Sequence, residues 1–90
     1  MFGAHPDDIE IGMGGTIKKL TDHKQPVIAC IATVPDMPRR RKQEVDRAAN
    51  ILGITTIKHL DIQPKRFGFN RETVSAIDRV IQQYNPDAVF

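Results

Sequence analysis

The chain has 90 residues, 40% of them hydrophobic and 27% charged, which fits at most one small globular domain. Its formal net charge of +2 is too small to indicate a nucleic acid or an acidic membrane as partner. The single cysteine, Cys30, excludes an internal disulfide, and the apolar run around it predicts a buried, reduced thiol. The sequence shows no signal-peptide pattern and no transmembrane stretch, and together these features favour a cytoplasmic protein.

The first half of the chain predicts two strands separated by a helix. Residues 1–5 are typical of the end of a strand. Apolar residues between positions 10 and 23 recur at i, i+4 and i+7, as on one face of a helix. Those residues are Met13, Ile17 and Leu20. Residues 27–34 form a near-continuous apolar run, which is typical of a strand covered on both faces of a parallel sheet.

The second half predicts two more helices and two more strands. After a turn between Pro35 and Pro38, a second helix ends at Gly53, which suits a left-handed C-terminal residue. The predicted inner face of that helix comprises Val45, Ala48, Ala49 and Leu52. Residues 54–62 predict a third strand, and Pro64 to Phe69 a loop.

A third helix is predicted to begin after Asn70, a good N-cap residue. Its predicted inner face comprises Val74, Ile77, Ile81 and Tyr84. The pair Asn85-Pro86 stops this helix, and residues 87–90 are expected to begin a fourth strand.

The predicted order is therefore βαβαβαβ, which indicates an α/β protein with a parallel, Rossmann-like sheet and right-handed crossovers. The first and last strands are both short, and a sheet with half a strand at each end has too little core. We therefore expect residues 1–90 to be the N-terminal part of a single larger domain.

The segment His5-Pro6-Asp7-Asp8 follows the first strand, at the sheet edge where open α/β folds bind ligands. An imidazole and a carboxylate from one short turn suit Zn²⁺ or a similar divalent ion, which makes His5 and Asp8 candidate ligands. Asp7, next to a ligand, could act as general base toward a water on the metal. The alternative is that the two aspartates only cap the first helix and complement its dipole, with His5 bonded to backbone.

The longer pattern Ala4-His5-Pro6-Asp7-Asp8-x-Glu10-x-x-x-Gly14-Gly15-Thr16 resembles the opening motif of the LmbE-like (PIG-L) N-acetylglucosaminyl deacetylases. Two later runs resemble the same family in the expected order. They are Arg41-x-x-Glu44-x-x-x-Ala48-Ala49-x-x-Leu52-Gly53 and Asn85-Pro86-Asp87-Ala88-Val89-Phe90. The resemblance implies a zinc-dependent hydrolase that removes the acetyl group from an N-acetylglucosamine-type sugar or glycoconjugate.

The resemblance also implies residue roles. His5 and Asp8 would be zinc ligands and Asp7 the general base, while Gly14 and Gly15 would let the first helix pack close to the site. Arg41 matches best the arginine with which the family reaches its substrate, although a solvated helix terminus explains three consecutive arginines equally well. Iron or cobalt would suit the same ligands as zinc. The sequence is compatible with a homo-oligomer.

The family's third zinc ligand is a histidine in a motif after the fourth strand, and no residue of this chain matches it. His23 and His59 do not fit: the first is expected at a helix end and the second within a strand. Because catalytic zinc sites normally have three protein ligands, we expect the 90 residues alone to be inactive and to bind zinc weakly. The segment between Thr33 and Arg41 is also shorter than the family's usual loop, which leaves substrate specificity open.

Two other functions compete with the deacetylase. A non-catalytic relative would keep the fold for binding or assembly. A nucleotide-binding Rossmann domain is suggested by Gly12-x-Gly14-Gly15, but the spacing G-x-G-x-x-G is absent. Asp7 and Asp8 would also repel a pyrophosphate at that helix start.

Overall fold

The computed structural model describes residues 1–34 and 37–90 and shows an α/β fold in which three parallel strands alternate with three helices. In chain order the elements are β1 (Phe2–Gly3), α1 (Asp8–Asp22), β2 (Ile28–Ile31), α2 (Pro38–Leu52), β3 (Thr56–His59) and α3 (Arg71–Tyr84). The strands lie in the order β1-β2-β3, which confirms the predicted α/β class and parallel sheet. The predicted turn at Pro35 lies partly outside the described residues.

Strand pairing extends beyond β1 toward the candidate site. Gly3 pairs with Ile31, and the Gly3 carbonyl accepts from the Ala32 N–H at 3.0 Å. The Thr33 N–H then donates to the Ala4 carbonyl, also at 3.0 Å. The chain is therefore fixed to β2 up to the residue before His5.

Helices α1 and α2 contact each other and bury the main apolar core against one face of the sheet. The buried core residues are Ile9, Ile17, Val27, Ala29, Ile31, Val45, Ala49 and Ile54. Leu20, Met13 and Leu52 are partly buried against them. The helical periodicity of the sequence therefore predicted the inner faces of both helices correctly.

Helix α3 lies on the opposite side of the sheet from this core. Lys58 pairs in register with Cys30, which precedes the core residue Ile31 in β2. Because successive strand residues face opposite sides of a sheet, Lys58 and Cys30 face away from the core. The Lys58 ammonium lies 5.8 Å from the centroid of the Tyr84 ring, which places the end of α3 on that second face.

The beginning of α3 differs from its predicted face. Val74 is 52% exposed, whereas Thr73 is 6% exposed. The Thr73 hydroxyl accepts from the Gly68 N–H at 3.3 Å, and its own N–H donates to the Asn70 side chain at 2.9 Å. These two bonds turn Thr73 toward the preceding loop, so Val74 points outward.

The predicted helix ends are confirmed at Gly53 and Asn70. Gly53 has φ +81°, the left-handed conformation that glycine adopts without a Cβ penalty. Its N–H donates back to the last turn of α2. Asn70 is extended and caps α3 through its side chain.

The fourth strand predicted at residues 87–90 does not form in this chain, so the βαβαβαβ order stops after α3. One backbone bond joins this segment to β1: the Phe2 N–H donates to the Phe90 carbonyl at 2.7 Å. Pro86 carries no N–H, and a strand needs a repeated ladder rather than a single bond. An apolar groove of about 470 Å³ lies beside this segment, lined by both termini and the end of α3. No helix within residues 1–34 and 37–90 is long and apolar enough to cross a membrane.

Candidate active site after the first strand

The turn from His5 to Asp8 is closed by two hydrogen bonds between its ends. The His5 N–H donates to Oδ2 of Asp8 at 2.8 Å, and the Asp8 N–H donates to the His5 carbonyl at 3.3 Å. Pro6 is buried between them and removes one backbone donor from the turn. The Asp8 carboxylate is therefore held over the backbone of His5.

The candidate ligand pair lies close together. Nδ1 of His5 is 3.6 Å from Oδ2 of Asp8, which is long for a hydrogen bond. Two donors bound to one tetrahedral Zn²⁺ at about 2.0–2.2 Å are themselves separated by about 3.3–3.6 Å. The side chains are 50% and 45% exposed, so an ion could reach both. This separation fits one cation better than a direct bond.

Asp7 is not used as a cap. It is the residue before α1, with φ −104° and ψ −6°, and its side chain makes no capping hydrogen bond. Its backbone carbonyl accepts from the Ile11 N–H at 3.1 Å and so begins the helix, while the carboxylate remains exposed. The Asp7 side chain therefore does not cap α1, and the Asp8 carboxylate instead accepts from the His5 N–H, which precedes the helix.

The start of α1 carries concentrated negative charge. Glu10 is half-buried, and its burial raises the pKa of its carboxyl, with a further rise from the charges of Asp7 and Asp8. A hydrogen bond from its own backbone opposes this rise in pKa. Three carboxylates therefore lie at the start of this helix, where the helix dipole stabilises negative charge.

The two other histidines lie away from the ligand pair. Nδ1 of His23 lies 2.7 Å from the Lys19 carbonyl at the end of α1. His59 ends β3, and its half-buried ring has a pKa lowered by burial and by nearby Lys42. Within the described part of the chain, no three His, Cys, Asp or Glu residues form a metal cluster. The described residues thus bring His5 and Asp8 together without a third such residue.

Arg41 lies in the first turn of α2, which follows β2 and so starts at the same edge of the sheet as His5. Its Nη1 lies 3.4 Å from Oε2 of Glu44, and Arg40 contacts the other oxygen of the same carboxylate. Exposed pairs of this kind contribute about 0–1 kcal/mol each.

The glycines of α1 do not have the predicted role. A Cβ added at Gly14 or Gly15 would meet no side chain or distant backbone within 4 Å among the described residues, so neither glycine mediates close packing at the site. Both lie inside α1, as does Gly12, rather than in a phosphate-binding loop, which also argues against the nucleotide-binding alternative.

The sequence did not reveal two residues at this edge. Gly3 makes the close approach that was expected of the helix glycines, since a Cβ there would lie 2.8 Å from Cγ1 of Ile9. Thr33 is 1% exposed, and its hydroxyl has no hydrogen-bond partner among the described residues. Neither contact has a local sequence signal, because each depends on segments that meet only in the folded chain.

The comparisons with known proteins identify a family. The family model described as PIG-L, GlcNAc-PI de-N-acetylase, matches residues 1–90. The diacetylchitobiose deacetylase of Thermococcus kodakarensis is 37% identical over 96% of this chain and 37% of its own length. A probable N-acetyl-alpha-D-glucosaminyl L-malate deacetylase 2 of Bacillus cereus is 30% identical over 96% of this chain and 47% of its own length.

A solved structure shares the fold. The N,N'-diacetylchitobiose deacetylase of Pyrococcus horikoshii, complexed with its inhibitor MPG, superposes with a TM-score of 0.85 at 30% identity. The match covers 96% of this chain and 37% of that one. The chain therefore spans between about a third and a half of the length of these relatives.

Proposed function

Because the chain belongs to the PIG-L family of GlcNAc-PI de-N-acetylases, we propose that this protein hydrolyses the acetamide of an N-acetylglucosamine-type sugar or glycoconjugate. One observation carries the proposal: Nδ1 of His5 lies 3.6 Å from Oδ2 of Asp8, while the adjacent Asp7 carboxylate is exposed and makes no capping hydrogen bond. Relatives named as deacetylases of two different amino-sugar compounds support the reaction class.

We assign His5 and Asp8 as two ligands of a divalent cation, with Zn²⁺ the first choice for a nitrogen and an oxygen donor. Such a cation supplies Lewis acidity toward the acetamide carbonyl and lowers the pKa of water toward about 7. The hydrogen bond from the His5 N–H reaches Oδ2, the same Asp8 oxygen that lies 3.6 Å from Nδ1, and so fixes the orientation of the carboxylate. The turn itself therefore preorganises the pair.

Asp7 is the general base in this proposal. Its carboxylate would take the proton of the attacking water as the carbon–oxygen bond forms. The amide C–N bond then breaks, the leaving amine takes up a proton, and the products are acetate and a free amino sugar. Asp7 suits this role because the helix start does not engage its side chain.

Arg41 is the substrate contact that we propose for the same edge. The names of the two relatives specify compounds that differ beyond the amino sugar, so a residue outside the His5–Asp8 turn must discriminate between such substrates. A guanidinium at the start of α2 suits hydroxyl, carboxylate or phosphate groups of the aglycone.

The decisive experiment is Asp7→Asn in the complete reading frame that contains this chain, with acetate release from GlcNAc derivatives as the assay. We expect turnover to fall by about 10²–10⁴-fold, as for loss of a general base, while bound metal is retained. Asp22→Asn is the matched control, because Asp22 is an exposed aspartate at the other end of α1, paired with Lys18. An active Asp7→Asn enzyme with normal metal content would exclude the general-base role.

A non-catalytic relative is the second candidate, since the described residues supply only two ligands. Metal-binding and acetate-release assays of the parent protein distinguish the two functions. Metal binding without acetate release from any GlcNAc derivative would favour the binding protein, whereas release that depends on Asp7 establishes the enzyme.

A further inference from the structure

We propose that Gly3 is a positioning residue for the ligand pair: its missing side chain leaves the space into which the His5–Asp8 turn and the first turn of α1 fold. The inference rests on the proposed metal role of His5 and Asp8. Gly3 is buried in β1, and its φ is not in the left-handed region. Space, and not backbone conformation, therefore explains glycine at this position.

A Cβ at residue 3 would contact the turn at both of its ends. It would lie 3.3 Å from the Asp8 Cβ and 3.3 Å from the His5 carbonyl oxygen. That carbonyl accepts the Asp8 N–H bond, so one added atom would press on a closing bond of the turn and on a ligand side chain at once.

The shortest contact would be 2.8 Å, to Cγ1 of Ile9. Ile9 is 4% exposed and follows Asp8 directly in α1, so it has little room to turn away without moving the helix start. Gly3 itself cannot yield, because its backbone is paired with β2. The displacement must therefore fall on the turn that carries the ligands.

The experiment measures Co²⁺ affinity and the Co²⁺ absorption spectrum of the complete protein, together with thermal unfolding of the metal-free form. We expect Gly3→Ala to weaken Co²⁺ binding by about 10–100-fold and to change the spectrum, as when a group that orients a ligand is altered. Gly12→Ala is the matched control, since a Cβ there meets none of the described residues within 4 Å and Co²⁺ binding should stay that of the parent.

A purely structural role is distinguished by adding Ile9→Ala. This change removes the closest overlap but leaves the contacts to Asp8 and His5. We expect Gly3→Ala/Ile9→Ala to bind Co²⁺ more tightly than Gly3→Ala while unfolding at a lower temperature, because a buried side chain is lost. We also expect it to bind about threefold or more weakly than Ile9→Ala alone, a comparison that holds even if Gly3→Ala does not fold.

The proposal is overturned if Gly3→Ala binds Co²⁺ like the parent, or if the double variant binds it like Ile9→Ala. The proposal is also overturned if Co²⁺ affinity simply follows the unfolding temperature across all the variants, because loss of stability alone would then explain the weaker binding. A parent protein that binds no Co²⁺ or Zn²⁺ instead contradicts the proposed function, and so with it the ligand pair that Gly3 would position.

Discussion

His59 is a half-buried histidine at the end of β3. Its Nδ1 is buried and has no hydrogen-bond partner among the described residues. Burial lowers the pKa of the ring, and so does the charge of Lys42, whereas Asp61 and Asp46 act in the opposite direction. Lys42 also pairs with Asp61 at 2.8 Å, which reduces the net effect of both charges on the ring.

This lowered pKa gives a direction to the pH dependence of stability. Below the ordinary value of 6.5 the unfolded chain binds a proton at residue 59 that the folded chain resists. Its contribution to the free energy of unfolding is therefore complete above that pH and is lost as pH falls toward the folded pKa. We expect His59→Gln to lose less stability than the parent between pH 7.5 and 5.5 in urea titrations.

His23→Gln is the control for this comparison, because it replaces an exposed ring at a helix end. A His59→Gln protein that loses as much stability as the parent over the same range would show that other groups dominate the acid limb.

At the scale of elements, α3 depends on local bonds more than the other helices do. Asn70 accepts the Thr73 N–H at 2.9 Å and donates to the Arg66 carbonyl at 2.7 Å, so it ties the loop to the first turn. Thr73 is the only buried residue of α3. Sparse burial predicts that this helix opens before the central sheet does.

We therefore expect Asn70→Ala to speed amide hydrogen exchange in α3. Loss of an N-cap costs about 1 kcal/mol, which is about a fivefold increase in opening. Amides of β2 should keep their protection, since that strand lies in the middle of the sheet. Asn50→Ala, at an exposed position in the last turn of α2, is the matched control and should leave α3 unchanged. Equal acceleration across β2 and α3 would instead mean that the helix opens only with the whole domain.

The helix faces and helix ends that depend on local signals were predictable from the sequence. Periodicity predicted the buried faces of α1 and α2, and the residue types at Gly53 and Asn70 predicted two helix ends, because these signals are local. The phase of α3 was missed at Val74, since a loop bond to Thr73 decided it. The proximity of His5 and Asp8 was predictable because they are three residues apart, whereas the close packing of Gly3 was not, because its contacts depend on the tertiary structure.

For the whole molecule, the number of ligands sets the expected metal affinity. The described residues bring together one histidine and one aspartate, with no third ligand beside them. Catalytic zinc sites normally use three protein ligands and an open position. We expect residues 1–90 expressed alone to bind Zn²⁺ much more weakly than the complete reading frame in a competition titration with a chelating dye.

His5→Ala in both proteins serves as the control, because it should reduce the stronger affinity sharply and the weaker one only slightly. Equal, tight binding by the short and the complete protein would show that residues 1–90 contain a full site.

The bond between Phe2 and Phe90 has a consequence for where the site lies in the sheet. With β2 on one side and the Phe90 segment on the other, β1 is flanked on both edges. The connection from β1 to β2 runs through α1 on one face of the sheet. The connection from β3 to the Phe90 segment runs through α3, which lies on the other face. The carboxyl end of β1 is thus the topological switch point of the sheet, where connections diverge and leave a crevice. His5 opens the turn at that point, so the position of this turn in the sheet follows from the chain's path and not only from its motif.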